Sequence, residues 1–368
     1  MKIAFVYDRV NKIGGAERIL MALHEIWPQA PLYTAVYNPE SAPWSADFKV
    51  IPSFLQKFPW ARTRHEFYAP LMPLAFESFT FDPPAGGFDV VISITSAEAK
   101  GIITKPKTLH VCYCLTPTRY LWSGTWDYKI PALLGPLRTK LRSWDQVAAS
   151  RPDLYLAISQ NVARRIKKYY RQDAEVIYPP VDTRKWKLEI GNWKIGDYFL
   201  IVSRLVPYKR VDIAIEAFNQ LDLPLKIIGT GMEMEKLKKM AHENIEFLGQ
   251  LTDEEVLGYY QRCRAVVFPG EEDFGLVPLE AASCGKPTIA YQGGGVLETV
   301  LEGKTGEFFA PQTVRALVDK VKSFKPESYQ PDICRAQAER FREEVFKEKF
   351  KTFIERKWKN YLKNISTS

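Results

Sequence analysis

No stretch of the chain approaches the roughly 18 consecutive apolar residues of a membrane-spanning helix. The N-terminus, MKIAFVYDRV, has no apolar signal core leading to a cleavage site and reads instead as a buried first strand. Cysteine is scarce, at 5 in 368 residues. Cys112 and Cys114 lie two apart, on one face of a strand, and Cys263, Cys284 and Cys334 are scattered. That is neither a zinc spacing nor a disulfide framework, and it favours a reducing cytoplasm. Tandem repeats and low-complexity segments are absent. A Walker lysine pattern is missing, the dinucleotide fingerprint is incomplete, and no Asp-x-Asp is placed to hold a metal. No recognised nucleic-acid motif occurs, so nucleic-acid binding would rest on charge alone.

What is present is ordinary globular composition, 46% hydrophobic and 26% charged, which excludes a disordered chain. At ~150 residues per domain, the length predicts two or three domains. The charge is uneven. Residues 1–180 hold 22 basic and 15 acidic side chains, net +7 of the formal +8. A basic half invites an anionic membrane, a phosphorylated substrate or nucleic acid, or is merely a solvated surface.

Short apolar strands alternate with amphipathic helices, the pattern of a parallel α/β sheet. Strands are expected at Lys2 to Tyr7, Val90 to Ile94, Thr108 to Tyr113, Asp153 to Ile158 and Glu175 to Tyr178. The helix after Ser159 should turn Val162, Ile166 and Tyr169 inward. A second series starts at Tyr198 to Ser203 and continues through Leu225 to Ile228, Ile245 to Leu248, Ala265 to Phe268 and Thr288 to Ala290. Thr252 with Glu255 three later has capping-box spacing. Two doubly wound domains are expected, joined near 181–195. A late apolar stripe follows, through Phe341, Val345, Phe350, Phe353, Ile354, Trp358 and Tyr361.

The region 43–84 breaks the pattern. Phe54, Phe58, Trp60, Phe67, Tyr68, Leu71, Met72, Leu74 and Phe76 interleave with Lys57, Arg62, Arg64 and His65. A second aromatic stretch holds Tyr120, Leu121, Trp122, Trp126 and Tyr128. These residues either pad the first core or form an acceptor surface near lipid, where aromatic and basic side chains suit the headgroup zone.

Chemistry concentrates in the second half. Glu272 and Glu280 bracket Asp-Phe-Gly-Leu-Val-Pro-Leu, between a strand and a helix. Glu272 falls in the loop at the carboxyl edge of the sheet, where α/β sheets bind ligands. Glu280 falls about a turn and a half into the helix. Phe274, Gly275 and Leu276 would present backbone N–H groups at the helix start, which suits phosphate. A sugar nucleotide needs that combination: a carboxylate for sugar hydroxyls, N–H groups for diphosphate and a second carboxylate for ribose. The plainer alternative is helix capping chemistry. Arg204 and Lys209, just beyond another strand, can clamp a diphosphate and stabilise its charge as it leaves, or form a solvated basic turn. Gly14-Gly15 and Gly229-Thr230-Gly231 permit close backbone approach after their strands.

Together these pieces resemble the retaining family 4 glycosyltransferases, which have the GT-B fold. The matching segments are Gly14-Gly15-Ala16-Glu17, Ser203-Arg204-Leu205 with Lys209, Gly229-Thr230-Gly231, Phe247-Leu248-Gly249, Glu272 through Glu280, and Gly293-Gly294 with Glu298. Residues 68–77, 114–122 and 176–182 look most like WbaZ-type mannosyltransferases of polysaccharide and O-antigen assembly. The resemblance implies an α/β fold of two Rossmann-like doubly wound domains facing across a cleft. Residues 1–184 would bind acceptor, residues 185–340 would bind the nucleotide-sugar, and a helix over 341–368 would cross back to the first domain.

The resemblance also implies roles. Arg204 and Lys209 would bind the diphosphate, Glu272 the donor sugar and Glu280 the ribose, with Gly14, Gly15, Gly229, Phe274, Gly275 and Leu276 lining the donor. Many relatives carry a histidine near the donor sugar where the nearest alignment here puts Leu115. The sugar or acceptor contact would then come from His110, Thr116, Arg119 or backbone. The implied reaction moves a hexose, mannose from GDP-mannose, to a glycan or polyprenyl-diphosphate-linked acceptor with retention and without a cofactor or metal. No nucleic acid is involved, and the location is cytoplasmic, extending to peripheral contact with an anionic membrane. The alternatives are another donor such as UDP-glucose, or a non-catalytic glycan- or nucleotide-binding protein on the same fold.

Overall fold

The computed structural model describes residues 1–81, 87–122, 135–187 and 195–366. The chain divides into two units. Met1–Pro180 with Glu344–Ser368 makes the first, and Val181–Glu343 the second.

In the first unit seven parallel strands form one sheet. They are β1 (Ile3–Tyr7), β2 (Leu32–Thr34), β3 (Val50–Pro52), β4 (Val90–Thr95), β5 (Leu109–Cys114), β6 (Leu154–Ala157) and β7 (Ala174–Val176). Their spatial order is β3-β2-β1-β4-β5-β6-β7. The central strands are buried along their whole length, which is why they read as apolar runs rather than alternating ones. β2 and β3 were not legible as strands. Each spans three residues, too few to show a period, and β3 ends on Pro52 at the sheet edge, where a missing N–H costs no ladder bond.

Ser159 caps the helix Gln160–Tyr170 by accepting from the Val162 N–H at 3.0 Å. Tyr170, not Tyr169, completes the buried face, because it lies four residues beyond Ile166. The final helix, Glu343–Ser366, packs on this first sheet unit. Phe346 and Phe350 bury against Tyr113, and Phe350 also meets the edge of Trp27. Phe346 takes the inward place expected of Val345. Lys347 pairs with Glu25, and the Tyr361 hydroxyl donates to the Pro106 carbonyl at 3.0 Å.

The second unit holds six parallel strands: β8 (Phe199–Val202), β9 (Leu225–Ile228), β10 (Ile245–Gly249), β11 (Ala265–Phe268), β12 (Thr288–Tyr291) and β13 (Gly306–Phe309). The order is β10-β9-β8-β11-β12-β13. Phe199, Ile201, Ile227, Val267 and Ile289 make one core with the apolar faces of the helices Val211–Leu221 and Val314–Ser323. The capping box at Thr252 forms both arms: its hydroxyl accepts from the Glu255 N–H, and Glu255 accepts from the Thr252 N–H. All five cysteines are buried and unpaired. Among the described residues no helix is long and apolar enough to cross a membrane.

Candidate active site

The order of the second sheet fixes where a ligand site can form. From β8 the chain runs outward to β9 and β10, then returns to the other side of β8 with β11. The loops leaving β8 and β11 therefore diverge at their carboxyl ends, the switch point where open α/β sheets take ligands. Arg204 and Lys209 follow β8, and Glu272 follows β11.

The two loops meet. Lys209 Nζ pairs with Glu272 Oε1, with side-chain exposures of 11% and 22%. Gly270 permits this approach: a Cβ there would lie 2.8 Å from both the Cα and the carbonyl oxygen of Lys209. Tyr208 links the two cations. Its hydroxyl accepts from Arg204 Nη2 at 2.8 Å, and Lys209 Nζ lies 5.3 Å from its ring centroid, a cation–π distance. On the other side, the loop after β9 seats the Arg204 segment. The Leu205 N–H donates to the Thr230 carbonyl at 2.9 Å, and a Cβ on Gly229 would meet the Ser203 carbonyl at 1.9 Å. The loop after β12 holds Glu272 from behind. Glu272 bridges to Gly294, and the Gly295 N–H donates to the Glu272 carbonyl at 2.7 Å.

Phe274, Gly275 and Leu276 lead into the helix Leu276–Ser283. Gly275 sits at the N-cap with φ +100, the left-handed region that favours glycine, and no side chain caps this helix start. Phe274 is buried with its ring against Phe341, so backbone is what it can offer a ligand. Glu280 lies just over one turn into the helix and is only 7% exposed. Its Oε2 accepts from the Tyr260 hydroxyl at 3.0 Å. Burial first, then the charge of Glu280, push the Tyr260 hydroxyl well above its ordinary pKa, so it stays a donor. Among the described residues no group of three His, Cys, Asp or Glu side chains is placed to hold a metal ion.

The remaining predicted positions lie in the first unit. Gly14 is the N-cap of the helix Gly15–Ile26, and both glycines are exposed beyond β1, next to that sheet's own switch point between β1 and β4. Glu17, in the first turn behind them, is buried and accepts from the Tyr7 hydroxyl at 2.5 Å. Thr116 is buried, and Arg119 is half-buried at the start of the helix Arg119–Trp122. That segment is anchored by Asp145, which accepts from Lys100, Thr118 and Trp122. His110 has no exposed surface. It is fully buried in β5 with Nε2 2.8 Å from the Ser93 hydroxyl, and burial, with Arg151 second, lowers its pKa to about 3.

The aromatic region is part core and part surface. Leu55, Ala61, Met72, Ala75 and Phe76 are core. Trp60 is 73% and Phe67 67% exposed, with Phe58 and Leu74 also outward and Lys57, Arg62 and Arg64 exposed among them. Trp126 and Tyr128 lie outside the described residues.

Residues 184–343 match the family model of glycosyl transferases group 1. The chain is 31% identical over 207 residues to the O-antigen chain mannosyltransferase C of Escherichia coli, covering 52% of this chain and 54% of that protein. It is 32% identical over 169 residues to a GDP-mannose-dependent alpha-(1-6)-phosphatidylinositol monomannoside mannosyltransferase of Mycolicibacterium smegmatis, covering 40% and 44%. The chain thus spans about half the length of the curated relatives it matches. Over nearly its whole length it resembles the crystal structure of Anabaena HepE in complex with UDP, with TM-score 0.73, 18% identity, and coverage of 96% of this chain and 100% of that one. The fold is α/β and GT-B, with two Rossmann-like units and a C-terminal helix. Three residues of the site were not legible beforehand: Tyr208, Gly270 and Tyr260. For Tyr208 the signal was an aromatic side chain between the two cations in sequence. For Gly270 and Tyr260 no local signal exists, because their partners lie far along the chain.

Proposed function

We propose that the protein is a retaining glycosyltransferase that moves a hexose from a nucleotide-sugar to a hydroxyl of a glycan or lipid-linked acceptor. The observation that carries this reading is the meeting of Lys209 with Glu272 at the sheet switch point, beside Arg204 and an uncapped helix start. Arg204 and Lys209 hold the diphosphate, joined by the backbone around Gly229 and Phe274 to Leu276. Glu272 contacts the donor sugar, and Glu280 the ribose.

The bond from the anomeric carbon to the diphosphate oxygen breaks, and the bond to the acceptor oxygen forms on the same face. The acceptor's proton goes to the departing diphosphate. Charge develops on that leaving group, and fixed cations and helix N–H groups stabilise it without reorganising. We take the chemistry to be metal-independent on this basis.

Mannose from GDP-mannose is the favoured donor, because two of the relatives carry mannosyl transfer in their names and one is GDP-mannose-dependent. A WbaZ-type role in polysaccharide assembly is in keeping with the O-antigen relative. UDP-glucose is the alternative, favoured by the UDP complex of the structural neighbour. The acceptor we favour is a glycan on a polyprenyl diphosphate. The exposed aromatic and basic side chains between Lys57 and Leu74 support peripheral contact with an anionic membrane at its cytoplasmic face.

A donor screen tests the reading. Nucleotide release from GDP-mannose or UDP-glucose should require a glycan acceptor, and NMR of the product should show the donor's anomeric configuration kept. Binding of the nucleotide with no transfer to any acceptor mixture would favour a non-catalytic binding protein.

A further inference from the structure

Glu280 is held by a residue from a different helix. Tyr260, on the helix Asp253–Arg262, is fully buried and donates its hydroxyl to Glu280 Oε2 at 3.0 Å. The Tyr260 ring stands edge-on to Trp186, with centroids 5.5 Å apart. The Trp186 backbone is itself fixed, since its carbonyl accepts from Ser283 Oγ and from Arg335 Nη1. Tyr260 is thus shielded from solvent, with its ring packed on Trp186 and its hydroxyl on Glu280.

A glutamate has three side-chain torsions and loses rotamer freedom when it must hold one pose. A ribose diol needs both a fixed position and a fixed plane of the carboxylate. Fixing one oxygen with a buried donor sets the plane and so the direction of the other. The hydrogen bond to an ionised acceptor is also stronger than a neutral one.

We infer that Tyr260 is a positioning residue for nucleotide recognition: it orients the Glu280 carboxylate toward the ribose hydroxyls, and so sets the preference for a ribonucleotide over its dideoxy counterpart. The inference rests on the reading of Glu280 as the ribose contact, and the test separates the two.

The protein is titrated with GDP and UDP and with their 2′,3′-dideoxy forms, by calorimetry, as wild type, Tyr260→Phe, Glu280→Gln and the double variant. Tyr260→Phe keeps the ring and its packing on Trp186. It should raise the Kd for the ribonucleotide about tenfold, as expected for one charge-assisted hydrogen bond, and leave the dideoxy Kd unchanged. Glu280→Gln should also lose the ribose preference, and Tyr260→Phe should add nothing in that background, because the two residues act as one unit. Equal weakening of both nucleotide forms by Tyr260→Phe would mean a structural role only, and no weakening of either would mean no role. Either result overturns the positioning assignment while leaving Glu280 in place. If Glu280→Gln keeps the full ribose preference, the ribose reading of Glu280 falls, and the inference with it.

Discussion

Lys209 and Glu272, 63 positions apart in the chain, form an ion pair at the carboxyl ends of two neighbouring strands. Each charge faces its opposite there. On the proposed reading, a donor diphosphate would take over Lys209 and a donor sugar Glu272. Arg204→Ala or Lys209→Ala should remove a charge-assisted contact of ~1.5–3 kcal/mol per hydrogen bond, lowering turnover by at least about tenfold while the fold survives. Near-normal turnover in both variants would sink the clamp assignment.

Gly270 gives a steric test of the same pairing. A methyl group there would press on the Lys209 backbone at 2.8 Å, which other backbone cannot relieve by rotating a side chain. Gly270→Ala should cost ~1–3 kcal/mol and reduce donor turnover together with stability. Gly258→Ala is the control, since Gly258 lies inside the helix Asp253–Arg262 and its Cβ would meet chiefly the flexible end of Arg262. That change should stabilise by ~1 kcal/mol. Thermal melts and donor turnover read both; unimpaired Gly270→Ala would show that the loops adjust freely.

Metal dependence is a direct check on where the leaving-group charge is met. With Arg204, Lys209 and the helix start doing this work, turnover should persist in excess chelator. Activity that vanishes in chelator and returns with magnesium or manganese would overturn the metal-independent mechanism.

The buried histidine predicts an acid limit. Burial, with Arg151 nearby, lowers the folded pKa of His110 to about 3, against ~6.5 unfolded. Below the unfolded value the unfolded chain binds a proton that the folded one refuses. Its contribution is thus complete above ~6.5 and is lost as pH falls toward 3, at up to ~1.4 kcal/mol per pH unit. His110→Asn should flatten the fall in urea-unfolding stability below pH ~6.5. An unchanged slope would move the effect to His65, which burial, with Arg9 and Lys12 after it, also lowers to about 3.

The aromatic and basic surface of the first unit is tested with Lys57, Arg62 and Arg64 replaced by Ser. Each basic residue near an anionic bilayer adds ~1 kcal/mol of attraction, so vesicle binding should weaken by up to about two decades. Turnover on a short water-soluble acceptor should be spared. Unchanged co-sedimentation with anionic vesicles would remove these residues from a membrane-facing surface.

Much of this molecule was determined locally. Apolar runs such as Ile3–Tyr7 and Leu225–Ile228 and the capping box at Thr252 depend on neighbours within a few residues, so composition and period reveal them. The glutamate spacing from 272 to 280 likewise lies within one loop and one helix. Other features depend on which strands lie side by side. The three-residue strand β2 is held between β1 and β3, β3 forms on the edge that β2 offers, and β13, which begins on Gly306, forms by pairing with β12. His110 sits in a strand whose alternation alone did not say that both faces would be covered. The pairing of Lys209 with Glu272, the close approach at Gly270 and the Tyr260 hydrogen bond to Glu280 were decided by tertiary structure alone. Each joins segments that no local propensity connects, and only the reversal of strand order at β8 brings those segments together.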